Sequence, residues 1–182
     1  ISGEVETIET AISLFASLDI KIRQLNVSHA FHSPLMQPML AEFTKVASEI
    51  TYTPPRIDIV SNVTGKLAGI EIATPQYWVD HILQPVRFAP SIESIGDRGY
   101  DIFLEIGAKP ILLGMGRQCL PKVEGLWLPS LRPRKEDWQQ ILQSLASLYV
   151  SGLDIDWQGF DRDYQRRRIN SLPTYPFQRE RY

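Results

Sequence analysis

Cysteine is almost missing from this chain: Cys119 stands alone among 182 residues, so no internal disulfide framework can hold the fold together. A lone thiol suits a reducing cytosol, and a cytoplasmic location is the expectation. Also missing is any apolar run approaching the roughly 18 residues that a bilayer crossing needs, so no membrane association is expected. No charged-then-apolar leader opens the chain. It does not begin with Met, and residue 1 reads as interior to a longer polypeptide. Charge of one sign is scarce as well. A formal net charge of −2 argues against a general nucleic-acid binder, and Arg166-Arg167-Arg168, the one basic run, reads as solvated surface. Internal repeats are absent too. What the chain does have is core-forming material. With 43% hydrophobic residues it can bury a real interior, so it reads as one ordinary domain or one incomplete large one, and disorder is excluded.

Periodicity sketches the elements. Val5, Ile8, Ile12, Phe15 and Leu18 recur at helical spacing and predict a helix over 4–18, followed by a strand near 20–27. Leu35, Met39, Phe43, Val46 and Ile50 mark a second helix, which Pro54-Pro55 stops. Ile57-Asp58-Ile59-Val60-Ser61 predicts a short strand, and Asn62-Val63-Thr64-Gly65 a turn. Pro75 opens a helix carrying Tyr77, Trp78, Ile82 and Leu83; another spans about 87–97 with Phe88, Ile92 and Ile95. Asp101-Ile102-Phe103-Leu104-Glu105-Ile106 is mostly apolar and reads as a buried strand of a parallel sheet, with a helix from Pro110 through Leu120 behind it. Alternating strand and helix over 57–131 predict an α/β fold. After Arg132-Pro133-Arg134-Lys135 comes a helix with Trp138, Ile141, Leu142, Leu145, Leu148 and Tyr149 along one face, and Gly152 as its stop. From Asp154 the chain is irregular yet aromatic (Trp157, Phe160, Tyr164, Tyr175, Phe177, Tyr182), which reads as a strap lying over another surface.

The richest stretch is His29-Ala30-Phe31-His32-Ser33-Pro34-Leu35-Met36. Ser33 is a natural helix N-cap, and Pro34 fits the first turn, where a missing N–H costs nothing. A histidine at such a junction is held rigidly and can face a cleft, and unperturbed imidazole titrates near neutrality, suiting it to proton transfer. From the residues alone, a structural histidine remains an open alternative. A metal site at His29-x-x-His32 lacks further ligands at a recognisable spacing, and His81 is too isolated in sequence to supply one. Cys119 on its helix reads as a buried inert thiol, Ser33 has its capping role, and Gly114-Met115-Gly116 lacks a phosphate-loop pattern.

The segment from Val27 through Met36 resembles the histidine motif of polyketide synthase acyltransferase domains, relatives of malonyl-CoA:acyl-carrier-protein transacylase. Further stretches resemble the same family in order: Ser61-Asn62-Val63-Thr64-Gly65, Tyr77-Trp78 through Pro85-Val86-Arg87-Phe88, Phe103-Leu104-Glu105-Ile106-Gly107 with Leu112, and the run 172–182. The resemblance implies a hydrolase-like parallel-sheet core, here its C-terminal part. With it would come the second half of a ferredoxin-like small subdomain over 1–27 and the core portion over 28–131. A post-acyltransferase linker over 132–182 would be a helix and an extended strap toward a ketosynthase.

One departure is large. The family's nucleophile is the serine of Gly-His-Ser-x-Gly, at a sharp strand-to-helix turn, and no such pentapeptide occurs here. The resemblance therefore implies an acyltransferase that transfers a malonyl extender unit from coenzyme A, through a serine ester, to the phosphopantetheine thiol of an acyl carrier protein. This chain would supply the histidine base but not the serine. By family match His32 is that base, oriented by the backbone carbonyl of Asn62. His29, Ala30 and Phe31 would set extender choice, because His-Ala-Phe-His goes with malonyl and Tyr-Ala-Ser-His with methylmalonyl units. Phe31 would fill the space an α-methyl branch needs; packing in the core is its bland alternative. Implied partners are the carrier protein, a ketosynthase and the N-terminal half of the acyltransferase, within a homodimeric synthase. No cofactor is expected on the chain itself. Two rival functions stand beside this one. The aromatic tail would suit a non-catalytic docking fragment contacting a ketosynthase. A lipase or esterase piece would share the core but needs an acidic residue to orient its histidine.

Overall fold

The computed structural model describes residues 1–25, 27–163, 171–173, 175–178 and 180. Arg166-Arg167-Arg168, Tyr164 and Tyr182 lie outside the described residues. The chain divides into two compact units, Ile1–Pro133 and Arg134–Tyr182. Among the described residues no helix is long and apolar enough to cross a membrane.

The first unit is α/β. Helix α1 (Val5–Ser17) occupies the predicted span, but none of its residues is buried. The strand expected near 20–27 is not formed among the described residues, and Ile20, Ile22, Leu25 and Val27 are exposed. A strand exists only through its ladder partner, and the described residues offer none. Ser33 then caps a 3₁₀ segment, Pro34–Met39, which passes into α2 (Leu40–Ser48). Pro38 explains the tighter first turns: lacking an N–H, it cannot make the α-helical bond back to Pro34. The strand expected at 57–61 shrinks to a single antiparallel bridge, Val60↔Leu67, closing the Asn62 turn. Gly65 makes that turn possible. It sits at φ 71°, and a Cβ there would lie 2.7 Å from the Pro90 side chain.

Helix α3 (Pro75–Leu83) follows a 3₁₀ turn, Ile70–Ala73. The Thr74 hydroxyl accepts from the Tyr77 N–H at 3.3 Å, Pro75 takes the first position, and Tyr77, Val79 and Ile82 are buried. α2 packs on α3, with Ala47 in the core. After α4 (Phe88–Gly96) comes the sheet: β1 (Ile102–Glu105), α5 (Leu112–Cys119) and β2 (Leu126–Pro129). The strands run parallel, Ile102 opposite Leu126 and Glu105 opposite Pro129. The Phe103 and Trp127 rings stack at 3.9 Å and 10°. Gly116 lets α5 approach, because a Cβ there would fall 2.6 Å from the Trp127 ring. The Glu105 carboxylate accepts from the N–H groups of Ile111, Leu112 and Leu113, filling the donors that open α5. β1 is only half-buried, where a fully buried strand was expected. A groove of about 600 Å³, lined by Phe88, Ile92, Ile102, Leu104, Leu112 and Trp127, runs along it.

In the second unit, α6 (Asp137–Val150) is capped by Glu136, whose carboxylate accepts from Trp138 and Gln139. Gly152 ends it as the composition predicts. At φ 89° it lets its own N–H reach Tyr149 O and the Leu153 N–H reach Leu148 O. The buried face differs from the expected apolar stripe: Gln140 and Ser144 are buried, joined by a 3.0 Å hydrogen bond, whereas Trp138, Leu142 and Tyr149 are exposed. A short helix, α7 (Trp157–Phe160), brings Trp157 beside Tyr149 and Phe160 beside Trp138, edge to face.

Candidate functional site

The histidine junction is defined by its backbone. His32 has φ 63°, the left-handed region that non-glycine residues rarely occupy. Two bonds hold it there, and both go to the C-terminal end of α3. The His32 N–H donates to Ile82 O at 2.9 Å, and Nδ1 lies 2.8 Å from Gln84 O. A carbonyl only accepts, so Nδ1 carries the proton and Nε2 keeps the lone pair. The tautomer is thereby fixed with the basic nitrogen directed away from the carbonyl.

The acceptor has a sequence cause. Pro85 disfavours the α region for the residue before it, and Gln84 accordingly adopts φ −70°, ψ 144°. That departure takes the Gln84 carbonyl out of the helical ladder and leaves it free for a side chain. The neighbouring hydroxyl is also committed. Ser33, buried to 3% exposure, donates to Ala30 O at 2.7 Å and accepts from the Leu35 N–H at 3.3 Å. It caps and positions; it does not face outward as a nucleophile.

Asn62 requires a correction. Its carbonyl, expected on the histidine, accepts instead from the Arg87 N–H at 2.8 Å. The Asn62 turn therefore anchors the connector between α3 and α4, three residues beyond the carbonyl that meets His32. A buried hydroxyl set ties the same pieces together. Ser61 Oγ is 2.8 Å from the Tyr77 hydroxyl, and Ser91 donates to Arg87 O at 2.7 Å.

His29, Ala30 and Phe31 lie beside His32. Phe31 is 48% exposed, its ring 6.4 Å from that of His32 and 6.1 Å from that of His29. That exposure counts against a core-packing role for Phe31. His29 is exposed, with Nδ1 2.9 Å from the Ser28 hydroxyl. Among the described residues no group of three or more His, Cys, Asp or Glu side chains could hold a metal ion. Cys119 is half-buried near the end of α5.

Sequence reasoning set His81 aside as too isolated to belong to the site. Isolated along the chain, it lies in the last turn of α3, and its ring is 6.0 Å from that of His32 at 71°. Burial first, and the charge of His32 second, hold its titration below the ordinary histidine value. The helical period was the available signal: a residue in the last turn of α3 sits close to a carbonyl just past its end.

The chain is α/β and holds the His32 imidazole against a main-chain carbonyl just past the end of α3. Residues 1–155 match the acyl transferase domain family, and the chain belongs to it. It is 39% identical over its whole length to the polyketide synthase GfsB of Streptomyces halstedii, of which it spans 3%. Its fold superposes with a TM-score of 0.83 on the acyltransferase domain from the second module of the salinomycin polyketide synthase. That match is 38% identical and covers 96% of this chain and 41% of the other. The acyl transferase domain of SpnD, described in complex with 2-(pent-4-yn-1-yl)malonyl, superposes with a TM-score of 0.78 at 27% identity, covering 82% of this chain and 38% of that one. The chain thus spans a small part of the curated relative and well under half of the solved domains.

Proposed function

We propose that this chain is the histidine-bearing part of an acyltransferase that moves a malonyl unit from coenzyme A to the phosphopantetheine thiol of an acyl carrier protein. The observation that carries the proposal is the 2.8 Å contact of His32 Nδ1 with Gln84 O, which leaves Nε2 as a base. The serine comes from a segment outside these 182 residues. Its hydroxyl attacks the malonyl thioester while the proton passes to Nε2, and the coenzyme A thiolate leaves with that proton. In the second half-reaction Nε2 takes the proton of the carrier thiol. The thiolate attacks the serine ester, and the serine oxygen recovers the proton. Among the described residues the imidazole meets a main-chain carbonyl, not a carboxylate. The Gln84 carbonyl orients the ring and the Ile82 carbonyl holds the His32 main-chain N–H, both at the negative end of α3, where a cation gains about 0.3–1 kcal/mol. Asn62 supports this site at one remove, through Arg87.

Replacing His32 by Ala in the acyltransferase that contains this chain is expected to lower transfer by about 10²–10⁴-fold. Near-normal transfer would overturn the role. Phe31, exposed beside the base, narrows the pocket against an α-methyl branch, with His29 and Ala30 completing the motif. Phe31→Ser is expected to raise methylmalonyl use relative to malonyl by an amount equivalent to about 1–3 kcal/mol, read from competing-substrate assays. An unchanged ratio would count against the steric account. We assign residues 1–27 to the small subdomain, 28–131 to the core and 132–182 to the linker, with a ketosynthase of a homodimeric synthase as the linker's neighbour.

A second reading rests on the exposed aromatics of the second unit. Trp138, Tyr149, Trp157 and Phe177 are all accessible, which suits contact with a ketosynthase independent of catalysis. It gains if the parent polypeptide carries no serine elbow.

A further inference from the structure

The transfer chemistry leaves one imidazole beside the base unused. His81 is half-buried in the last turn of α3, and its neighbours are rings. Tyr77 lies 6.1 Å away and Trp78 5.9 Å, both tilted against it, with His32 edge to face at 6.0 Å. The two bracing rings are themselves fixed at their polar ends. The Tyr77 hydroxyl meets Ser61 Oγ at 2.8 Å, and Trp78 Nε1 donates to Ile72 O at 3.1 Å. A continuous chain of contacts therefore runs from the buried Ser61 through Tyr77 and His81 to His32.

His32 needs such a brace. Its side chain is tied at one nitrogen, and a ring bonded through one atom can still rock about that bond and sweep Nε2 across several positions. Both acceptors lie at the end of α3: the Ile82 carbonyl takes the His32 main-chain N–H, and the Gln84 carbonyl holds the ring at Nδ1 alone. We propose that His81 is a positioning residue: its neutral ring walls one side of the His32 imidazole and keeps Nε2 aimed at the incoming hydroxyl. This rests on reading His32 as the base. Neutrality matters, because a second cation at this distance would repel the imidazolium that forms during each half-reaction. Asp80, the adjacent carboxylate on α3, is engaged by Gln76 Nε2 at 2.8 Å, and the charged neighbour that acts on His81 is His32 itself.

The test is malonyl transfer by the acyltransferase that contains this chain, with kcat and KM for malonyl-CoA measured separately. His81→Ala is expected to lower kcat by about ten- to a hundredfold with KM nearly unchanged, the signature of a misaimed base rather than a lost substrate contact. His81→Phe, which restores a neutral ring, is expected to recover most of that loss, and His81→Lys to recover none. Wild-type kcat in His81→Ala, a Phe variant as slow as the Ala variant, or a loss confined to KM would each overturn the proposal. If His81→Ala melts below the assay temperature, His81→Asn decides in its place: it lacks the ring, and full activity there overturns the inference. A parallel His32→Ala separates the two claims. Loss at position 32 with none at position 81 sinks this inference alone, and no loss at position 32 sinks the functional reading beneath it.

Discussion

The histidine junction and the two-stranded sheet are built on opposite terms. Around His32 nearly every polar group has a named partner, and the buried side chains include small hydroxyls: Ser33, Ser61 and Ser91. Around β1 the material is apolar and much of it is uncovered, with Leu104, Leu112 and Ile106 exposed, the last at 84%. Directional bonds specify a geometry locally, whereas apolar burial is non-directional and proportional to the area covered. The junction therefore carries its geometry within 28–91, and the sheet draws its stability from the Phe103–Trp127 stack and α5.

That contrast can be broken at either end. Trp127→Ala removes a buried ring that stacks on Phe103 and fills the space above Gly116. It should cost about 3–5 kcal/mol in urea unfolding. The His32 and His81 proton resonances should meanwhile stay where they are. If those resonances move, the two regions are one cooperative network and the comparison fails. Tyr77→Phe attacks the other side. It takes one partner from the buried Ser61 hydroxyl, for an expected loss of about 1–3 kcal/mol, and should shift the histidine resonances although it touches neither imidazole covalently. Unmoved resonances would show that the hydroxyl network does not reach the site.

The smallest effect is a pH dependence. His81 titrates below its ordinary value of 6.5 in the folded chain, so the unfolded chain binds a proton there that the folded chain refuses. Stability is unaffected by this residue above 6.5, falls as the pH drops through that value, and levels off below the folded-state value. The stability difference between wild type and His81→Gln should therefore change on acidification from neutrality and stay flat on the alkaline side. Replacing His32 by Gln should move the His81 titration upward, because the charge of His32 is the second cause of its depression.

What could be read from residues alone follows the same divide. The cap Ser33, the proline that opens α3 and the Gly152 stop are local signals, and local signals set the helices within a few residues. The strands at 20–27 and 57–61 were not so legible. Strand character depends on a partner elsewhere, and an apolar run does not reveal whether one exists. The site divides likewise. His32 stands out by its motif, and its junction position follows from Ser33-Pro34. Its acceptor was misassigned to Asn62, since a main-chain carbonyl has no residue type and leaves no mark on the sequence except Pro85. His81 was set aside as isolated because its proximity to His32 spans almost fifty positions, from 32 to 81, and only α3 brings them together.

Gln84 offers His32 a main-chain atom, and this shapes what genetics can detect. Any amino acid at position 84 supplies the same oxygen, so alanine scanning there would report silence at a place the proposed chemistry uses. The sensitive position is the next one, where losing the pyrrolidine ring would let the helix run on and reclaim that oxygen for itself. Mutational tolerance and mechanistic weight are thus separated by a single peptide bond.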